Sequence, residues 1–444
     1  MSDGERVQLF AKYPRAGLAK TRLIPALGAD DAARWQAIAI GVALERLRSF
    51  AVEPRREFEV WYTGADEAEM RFLLGSEAPC RPQADGDLGQ RLILAMRTAF
   101  DDGIARLCII GTDAPGLSAE LLDQAMSALE SHDVVLGPAL DGGYYLIAMK
   151  QPEPRLFTDI AWSSERVLEQ TLARAHSGGL TTKLLPHLSD VDHPEDLIHC
   201  RGVHPDWEEL LGEQVPGRIS VIVPALNEAN SIEATLDSTR SRGGSGDTEV
   251  IVADGGSSDS TCELASAWGA RVVRARAGRA RQLNAGAALA TGEWLLFLHA
   301  DSRLPEGYGA AIETAAGQGV AGGAFRLAID SRRWDLRGIA CGANLRSRWW
   351  GRPYGDQGLF IRREHFFALR GFRDWPLMED YEFVGRMRRV GRTVLLPLSV
   401  TTSPRRWLKR GSLRSTLLNQ WIVAAYHVGV SPERLAALYR GVRR

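Results

Sequence analysis

Two carboxylates stand at the ends of strongly apolar runs: Asp301 in WLLFLHADSRLP (294–305) and Asp113 in LCIIGTDAPGLS (107–118). In parallel α/β sheets, ligands bind beyond the carboxyl ends of the strands, so polar residues that directly follow apolar runs carry the chemistry. In the C-terminal half these are Asn227 and Glu228 after SVIVPAL, Asp254 after VIVA, and Asp301 after LLFLHA. Three acids converging on one sheet edge suit a divalent metal, or a base and ribose held by hydrogen bonds, but not an unaided anion. A metal bridging to a diphosphate satisfies both conditions.

Three further segments of this half carry charge. GRARQLNAGAALATGE (278–293) starts polar and continues helical. Arg279 and Arg281 are placed to meet phosphates, and Asn284 with its small neighbours lets a helix approach closely; an amphipathic helix with a basic start is the competing reading. In PLMEDYEFVGRMRRVGR, Glu379 and Asp380 open a helix. Acids there serve as caps and dipole partners, or as a general base for an acceptor hydroxyl. Between Glu382 and Glu433 no acid occurs, while Arg386, Arg388, Arg389, Arg392, Arg405, Arg406, Lys409, Arg410 and Arg414 do, with Trp407 among them. Such a block holds a diphosphate leaving group, rests on anionic lipid, or is a solvated basic face.

The N-terminal half repeats the device. Lys12, Arg15, Lys20 and Arg22 crowd the loop FAKYPRAGLAKTRL (10–23) that follows the first apolar run. A cationic loop at that place suits a di- or triphosphate. Asp113 ends a later run, Asp141 precedes two glycines in ALDGGYYLIAM, and LSDVDHPEDL supplies Asp190 and Asp192 before a helix opening at Pro194. Asp113 and Asp192 together would hold one Mg²⁺.

These residues need strands to carry them. RVQLFAKY, EFEVWYTG, ARLCIIGT and HDVVLGPA read as strands, separated by helical stretches such as DDAARWQAIAIGVALERLRSF and LSAELLDQAMSALESH. The pattern lapses near residue 200 into HCRGVHPDWEELLGEQVPGR, with one short helix, and restarts at RISVIVPALNE. The expected fold is α/β, in two similar units with mainly parallel sheets: residues 1–200, a linker at 201–217, and 218–444. A chain of 444 residues is too long for one core. The net charge of −1 gives the whole molecule no strong field favouring nucleic acid or membrane. Five scattered cysteines without a CxxC pair indicate neither zinc nor a disulfide framework, and fit a reducing cytoplasm. No run reaches the length of a spanning helix; LLNQWIVAAYHVGV (417–430) reads as a core or membrane-surface helix. Location is therefore expected in the cytoplasm, with the basic C-terminal region as the candidate contact to the inner membrane face.

The motifs SVIVPALNE, VIVADGGSSDST, LLFLHADS, GGAFRL, YGDQGLFIRR and MEDYEF resemble, in order and spacing, the motif set of family 2 glycosyltransferases of the GT-A fold, over about 218–440. The resemblance implies inverting transfer from a nucleotide-sugar, with Mg²⁺ or Mn²⁺. It places Asp254 on the base, Asp301 on the metal and Asp380 as the catalytic base, with Glu379 beside it. Glu228, Arg281, Asn284, Arg406 and Trp407 fall into the donor site. His299 stands where the family often has its first acid, and an imidazole still ligates manganese. SPRRW (403–407) is similar to a Gln-x-x-Arg-Trp motif but lacks the Gln, which speaks against processive polymer synthesis. AKYPRAGLAKTRL, GDLGQRL, GTDAP, DGGYYL, WSSERVL and DVDHPEDL resemble a bacterial family labelled glycosyltransferase and linked by name to arsenosugar biosynthesis. They are also similar to GT-A-like nucleotidyltransferases of the phospholactate guanylyltransferase type. The two resemblances together imply tandem GT-A-like, Rossmann-like domains of the nucleotide-diphospho-sugar transferase class. The implied enzyme is bifunctional: the C-terminal domain transfers a sugar to a small-molecule or lipid acceptor. The N-terminal domain is a second glycosyltransferase, a nucleotidyltransferase using a nucleoside triphosphate, or a non-catalytic binding module.

Overall fold

A computed structural model describes residues 4–75, 77–240 and 243–441, without the side chains of residues 406, 409, 410, 413 and 440. Two compact units result: Met1–Asp192 with Gly202–Leu210, and His193–Arg201 with Leu211–Arg444.

The first unit is built on strands β1 (Glu5–Lys12), β2 (Arg56–Thr63), β3 (Cys80–Pro82), β4 (Arg106–Ile110), β5 (Val134–Pro138), β6 (Tyr144–Met149) and β7 (Thr182–Leu184), ordered β3-β2-β1-β4-β6-β5-β7. β6 alone runs antiparallel to its neighbours β4 and β5. Alternation sets the layers. Val7, Leu9 and Ala11 pack into one core with Val60, Cys108 and Ile110, while Leu107, Ile109 and Ile147 enter the opposite one. Each face is then covered by helices such as Ala29–Phe50, which buries Leu44 and Leu47, and Leu88–Asp101, which buries Met96.

The second unit carries β8 (Val215–Ala225), β9 (Thr248–Asp254), β10 (Arg271–Arg274), β11 (Gly292–Phe297), β12 (Ser302–Arg303), β13 (Gly322–Ile329), β14 (Leu359–Arg362) and β15 (Thr393–Thr402). Their order is β10-β9-β8-β11-β14-β13-β15-β12. With the two-residue β12 set aside, this order and every strand direction repeat the first sheet. β11 and β13 are antiparallel to β14, and β13 is parallel to β15, as β4, β5, β6 and β7 are in the first. The repetition expected from the succession of elements is therefore present strand for strand. In both units the order reverses beside the first strand, between β1 and β4 and between β8 and β11, which is where an α/β sheet opens a crevice.

Aromatic packing anchors that crevice in the second unit. Phe297, the last residue of β11, meets Phe366, Phe372 and Phe383 with ring centroids 4.9–6.5 Å apart. Phe383 belongs to the helix Glu379–Val390 and is fully buried. Burial of each ring contributes about 2–3 kcal/mol and the ring pairs about 1 kcal/mol more. The helix that opens with Glu379 and Asp380 is thereby pinned to the strand that leads into Asp301.

The segment expected as a linker contains the helix Pro205–Leu211, and β8 already begins at Val215. Trp207 stacks on Trp35 within the first unit, with centroids 5.7 Å apart. Arg201, buried, donates to the carbonyls of Leu211, Gly212 and Ala288 within the second. Pro194 opens a 3₁₀ turn, Pro194–Cys200, rather than an α-helix. The five cysteines are all free. Among the described residues no helix is long and apolar enough to cross a membrane.

His199, in that 3₁₀ turn, has its pKa lowered to about 4 by burial and by Arg370. Its folded value lies below the ordinary one, so its contribution to stability is present at pH 7 and lost as pH falls from about 6.5 through 4. Acid unfolding followed by circular dichroism is expected to show a loss of about 1–3 kcal/mol over that window. His199→Gln should flatten it; an unchanged profile would remove His199 as the cause.

Candidate active site

The loops at the carboxyl ends of β8 and β9 are knitted together by side-chain to backbone bonds. Asp254, buried, accepts from the N–H groups of Gly256 and Ser257 at 3.0 and 3.1 Å. Asn227, at φ 55°, accepts from the Ser258 N–H at 2.8 Å and donates its own N–H to the Ser257 hydroxyl. The short polar side chain of Asn tolerates that left-handed backbone. Below them Gln282, on the helix Arg279–Ala288, donates to the carbonyls of Ala225, the last residue of β8, and Ala253, the last but one of β9, at 2.8 and 2.9 Å. Glu228 and Asp254 thus rise from strand ends whose separation is fixed from beneath.

Glu228 and Asp301 share one cation. The Arg405 guanidinium lies 2.6 Å from Glu228 Oε2 and 3.4 Å from Asp301 Oδ2. The bond to Glu228, offset in part by burial, raises the guanidinium's pKa, so the charge is permanent. A separate charge cluster surrounds Asp380. Its Oδ2 accepts from the Gly355 N–H and its Oδ1 from the Tyr381 N–H, both at 2.7 Å. A Cβ placed on Gly355 would lie 3.0 Å from Asp380 Oδ2 and 3.3 Å from His299 Nε2. That glycine is where the backbone passes between the two groups. Glu379 is buried and ion-paired to Arg279 at 3.1 Å. Burial pushes the Glu379 carboxyl up; Arg279 opposes this and Asp380 adds to it. Arg279 in turn is held protonated by Glu379, Asp380 and Asp356.

Other expected site residues have partners of their own. Arg281 forks onto Asp374 at 2.7–2.9 Å. Asn284, buried, exchanges both amide bonds with the backbone of Phe372, at 2.8 and 2.9 Å, and so ties its helix to the loop before Glu379. Trp407 is buried with Leu327, Leu336 and Ala340 in a small core. The Arg406 side chain lies outside the described residues. Arg386 bonds Glu382 and the carbonyls of Leu369 and Gly371, so it fastens the helix rather than joining a free basic face. Sequence reading placed Arg405 in a basic block suited to a diphosphate but not beside Glu228 and Asp301, and did not single out Gly355, because nothing local marks partners that lie 104, 177 or 25 positions away. Gln282 had a local signal, being a polar residue on a small-residue helix face.

In the first unit the same crevice holds Lys20, Arg22, Asp113 and Asp192. Lys20 Nζ lies 2.9 Å from Asp113 Oδ1 and 3.3 Å from Asp192 Oδ1, and donates to the Val191 carbonyl. Its side chain is 8% exposed, and it sits 4.8 Å from the Trp35 ring centroid. Burial works against the ammonium, but Asp113 and Asp192 outweigh it and hold its pKa above the usual lysine range. Arg22 takes Asp192 at 2.8 Å. The Val191 N–H bonds the Asp113 carbonyl, which brings the two acidic segments side by side. Lys12 donates to the Leu18 carbonyl, Arg15 to Glu69, and Asp141 accepts the Gly143 N–H within its own turn. Gln36 links the Lys12 carbonyl to the Thr112 hydroxyl, which in turn donates to Asp113.

Among the described residues no three His, Cys, Asp or Glu side chains gather as metal ligands. Asp301 Oδ1 has no bond among them, so this carboxylate retains capacity for one divalent ion if ligand oxygens complete the shell. Asp113 and Asp192 differ: Lys20 already stands between them, and the pair in this arrangement does not fit a metal.

Residues 220–368 match the model of the glycosyl transferase family 2, and residues 46–164 match that of an uncharacterized protein family conserved in bacteria, DUF2064. A PGL/p-HBAD biosynthesis glycosyltransferase of Mycobacterium tuberculosis, with its Mycobacterium bovis counterparts, is 43% identical over 94 residues, 20% of this chain. The chain spans 36% of the length of these relatives. A solved protein of Desulfovibrio desulfuricans, assigned to the nucleotide-diphospho-sugar transferases, is 32% identical over 45% of this chain and 86% of its own, with a TM-score of 0.42. A mannosyltransferase from Pyrobaculum calidifontis, solved with GDP-Man and Mn²⁺, is 22% identical over 51% and 69%, with a TM-score of 0.38.

Gly355→Ala tests the geometry around Asp380. The added methyl presses on Asp380 Oδ2 and His299 Nε2. Turnover that depends on Asp380 is expected to fall about 100-fold, with little change in thermal midpoint. Normal kinetics would show that Gly355 does not set the carboxylate.

Proposed function

We propose that this chain, which through residues 220–368 belongs to glycosyl transferase family 2, is a bifunctional nucleotide-sugar enzyme. Its second unit transfers a sugar from a nucleotide-diphosphate donor to a hydroxyl of a small-molecule or lipid acceptor, with inversion. One observation carries the reading: Asp380 is a carboxylate aimed by two backbone N–H groups, beside His299, on a helix pinned to the strand that ends at Asp301.

Both Asp380 oxygens accept one N–H and keep further lone pairs for a substrate proton. Asp380 takes the proton of the acceptor hydroxyl as that oxygen attacks the anomeric carbon. The bond from that carbon to the diphosphate breaks on the opposite face, and its electron pair leaves with the phosphate oxygen. One displacement inverts the centre. Arg405, already poised over two acids, meets the leaving diphosphate charge. Asp254 and its Gly256–Ser257 turn supply the hydrogen bonds for base and ribose. Mg²⁺ or Mn²⁺ held by Asp301, with His299 near, would add Lewis-acid stabilisation of the diphosphate. Glu379, expected beside the catalytic base, neutralises Arg279 at the helix start.

The first unit is read as a second glycosyltransferase-like domain. The support is its identical strand order and the acid, Asp113, after the strand equivalent to β11. Lys20 and Arg22 beside Asp113 and Asp192 also suit a nucleotidyltransferase that makes the donor. Lys20 occupies the space between these acids, so the pair does not fit a metal in this arrangement.

Asp380→Asn is expected to lower kcat about 10²–10⁴-fold with donor KM nearly unchanged, measured by nucleoside diphosphate release. An unaltered kcat would remove Asp380 from the chemistry. For the first unit, the full chain is incubated with nucleoside triphosphates and sugar phosphates. Pyrophosphate release lost in Asp113→Asn assigns a nucleotidyltransferase. Loss of nucleotide-sugar turnover without pyrophosphate assigns a second transferase. No effect of Asp113→Asn on either assigns a binding module.

A further inference from the structure

The helix Trp334–Trp350 has an outer face that carries none of the residues assigned to the candidate site. At 100° per residue, Arg337, Arg348, Cys341, Trp334, Leu345, Gly338, Trp349 and Gly342 fall within an arc of about 140°. Each of them is exposed. Trp334 is 86% exposed and Trp349 69%, at opposite ends of the helix. The opposite face is an ordinary core contact: Leu336 and Ala340 are buried with Leu327, Ile329 and Trp407. The outer face carries no acid. Asp335, the only acid of the helix, is bonded to Arg333 and Ser412. From 336 to 355 there is no acidic residue.

Beside this face runs a cleft of about 590 Å³ between the helix, β13 and β15. Arg326, Arg337 and Arg348 line it, over an apolar floor that includes Leu327, Ile329 and Leu395. None of the three arginines has an acidic or side-chain hydrogen-bond partner among the described residues. Three arginines without acidic partners over an apolar floor make an anion-facing surface. Exposed tryptophans at both ends of the helix give that surface an apolar rim. Indole rings and snorkelling guanidinium groups together suit the boundary between headgroups and acyl chains. The helix is too short and too charged to span, so it lies on the surface.

We infer that the Trp334–Trp350 face and the Arg326–Arg337–Arg348 cleft form a docking surface for an anionic phospholipid membrane, with lipid phosphates in the cleft and the tryptophans in the interface. The inference stands apart from the transferase reading. It also differs from a contact through the basic block after Glu382, where Arg386 is committed to Glu382 and Arg405 to Glu228.

The test is co-sedimentation of the full chain with phosphatidylcholine vesicles, with and without about one-third phosphatidylglycerol. The unmodified chain is expected to bind the anionic vesicles at least about tenfold more tightly, and added salt should weaken this. Arg337→Glu with Arg348→Glu should lose at least about tenfold, and Trp334→Ser with Trp349→Ser should weaken binding at the same charge. Circular dichroism confirms that these exposed substitutions leave the fold intact. Equal binding to both vesicle types overturns the proposal without recourse to any variant. Undiminished binding by folded Arg337→Glu with Arg348→Glu overturns it as well. Displacement from vesicles by millimolar inorganic phosphate at constant ionic strength would mark the cleft as a soluble-anion site instead, and would also overturn it.

Discussion

Carboxylates brought to one sheet edge repel one another unless a counter-charge stands between them, and each unit meets this constraint with a side chain of its own. In the second, Arg405 bridges Glu228 and Asp301. In the first, Lys20 bridges Asp113 and Asp192. Arg405 and Asp113 are each nearly half exposed, so solvent screening holds the net worth of such a bridge to about 1 kcal/mol, enough to offset the repulsion between neighbouring carboxylates. The acids can therefore converge in the free protein. The same cations become available to a polyanionic ligand, which replaces the carboxylates as their partner.

Packing then converts this charge pattern into a site. The aromatic cluster around Phe297 and Phe383 fixes the Asp380 helix to β11. Gln282 holds the ends of β8 and β9 from below, and Asn284 ties the same helix to the Phe372 loop. Gly355 lets the backbone pass between His299 and Asp380. None of these groups reacts. Each removes a degree of freedom from one that does, and pre-organisation of this kind lowers a barrier without contacting the substrate.

Much of the fold could be read from the sequence, because period-two apolar runs and acids at their carboxyl ends are local signals. Asp113, Asp254, Asp301 and Asp380 all stand at strand or helix ends as their neighbours suggest. The pairing of strands was less accessible: nothing local says that β14 inserts antiparallel between β11 and β13. Residue types alone did not show the long-range partners. Arg281, read as a phosphate ligand, pairs with Asp374 in the free protein, while Lys12 bonds the Leu18 carbonyl and Arg15 bonds Glu69. The Trp334–Trp350 helix gave no sequence signal at all, since its meaning lies in which face the core leaves open.

Calorimetric titration of the full chain with nucleoside diphosphate-sugars and Mn²⁺ tests the central claim most directly, when the unmodified protein is compared with Arg405→Ala. The account predicts saturable binding that weakens at least about tenfold in the variant, because the diphosphate loses its fixed cation. Absence of binding for every such donor, or binding indifferent to Arg405, would contradict it.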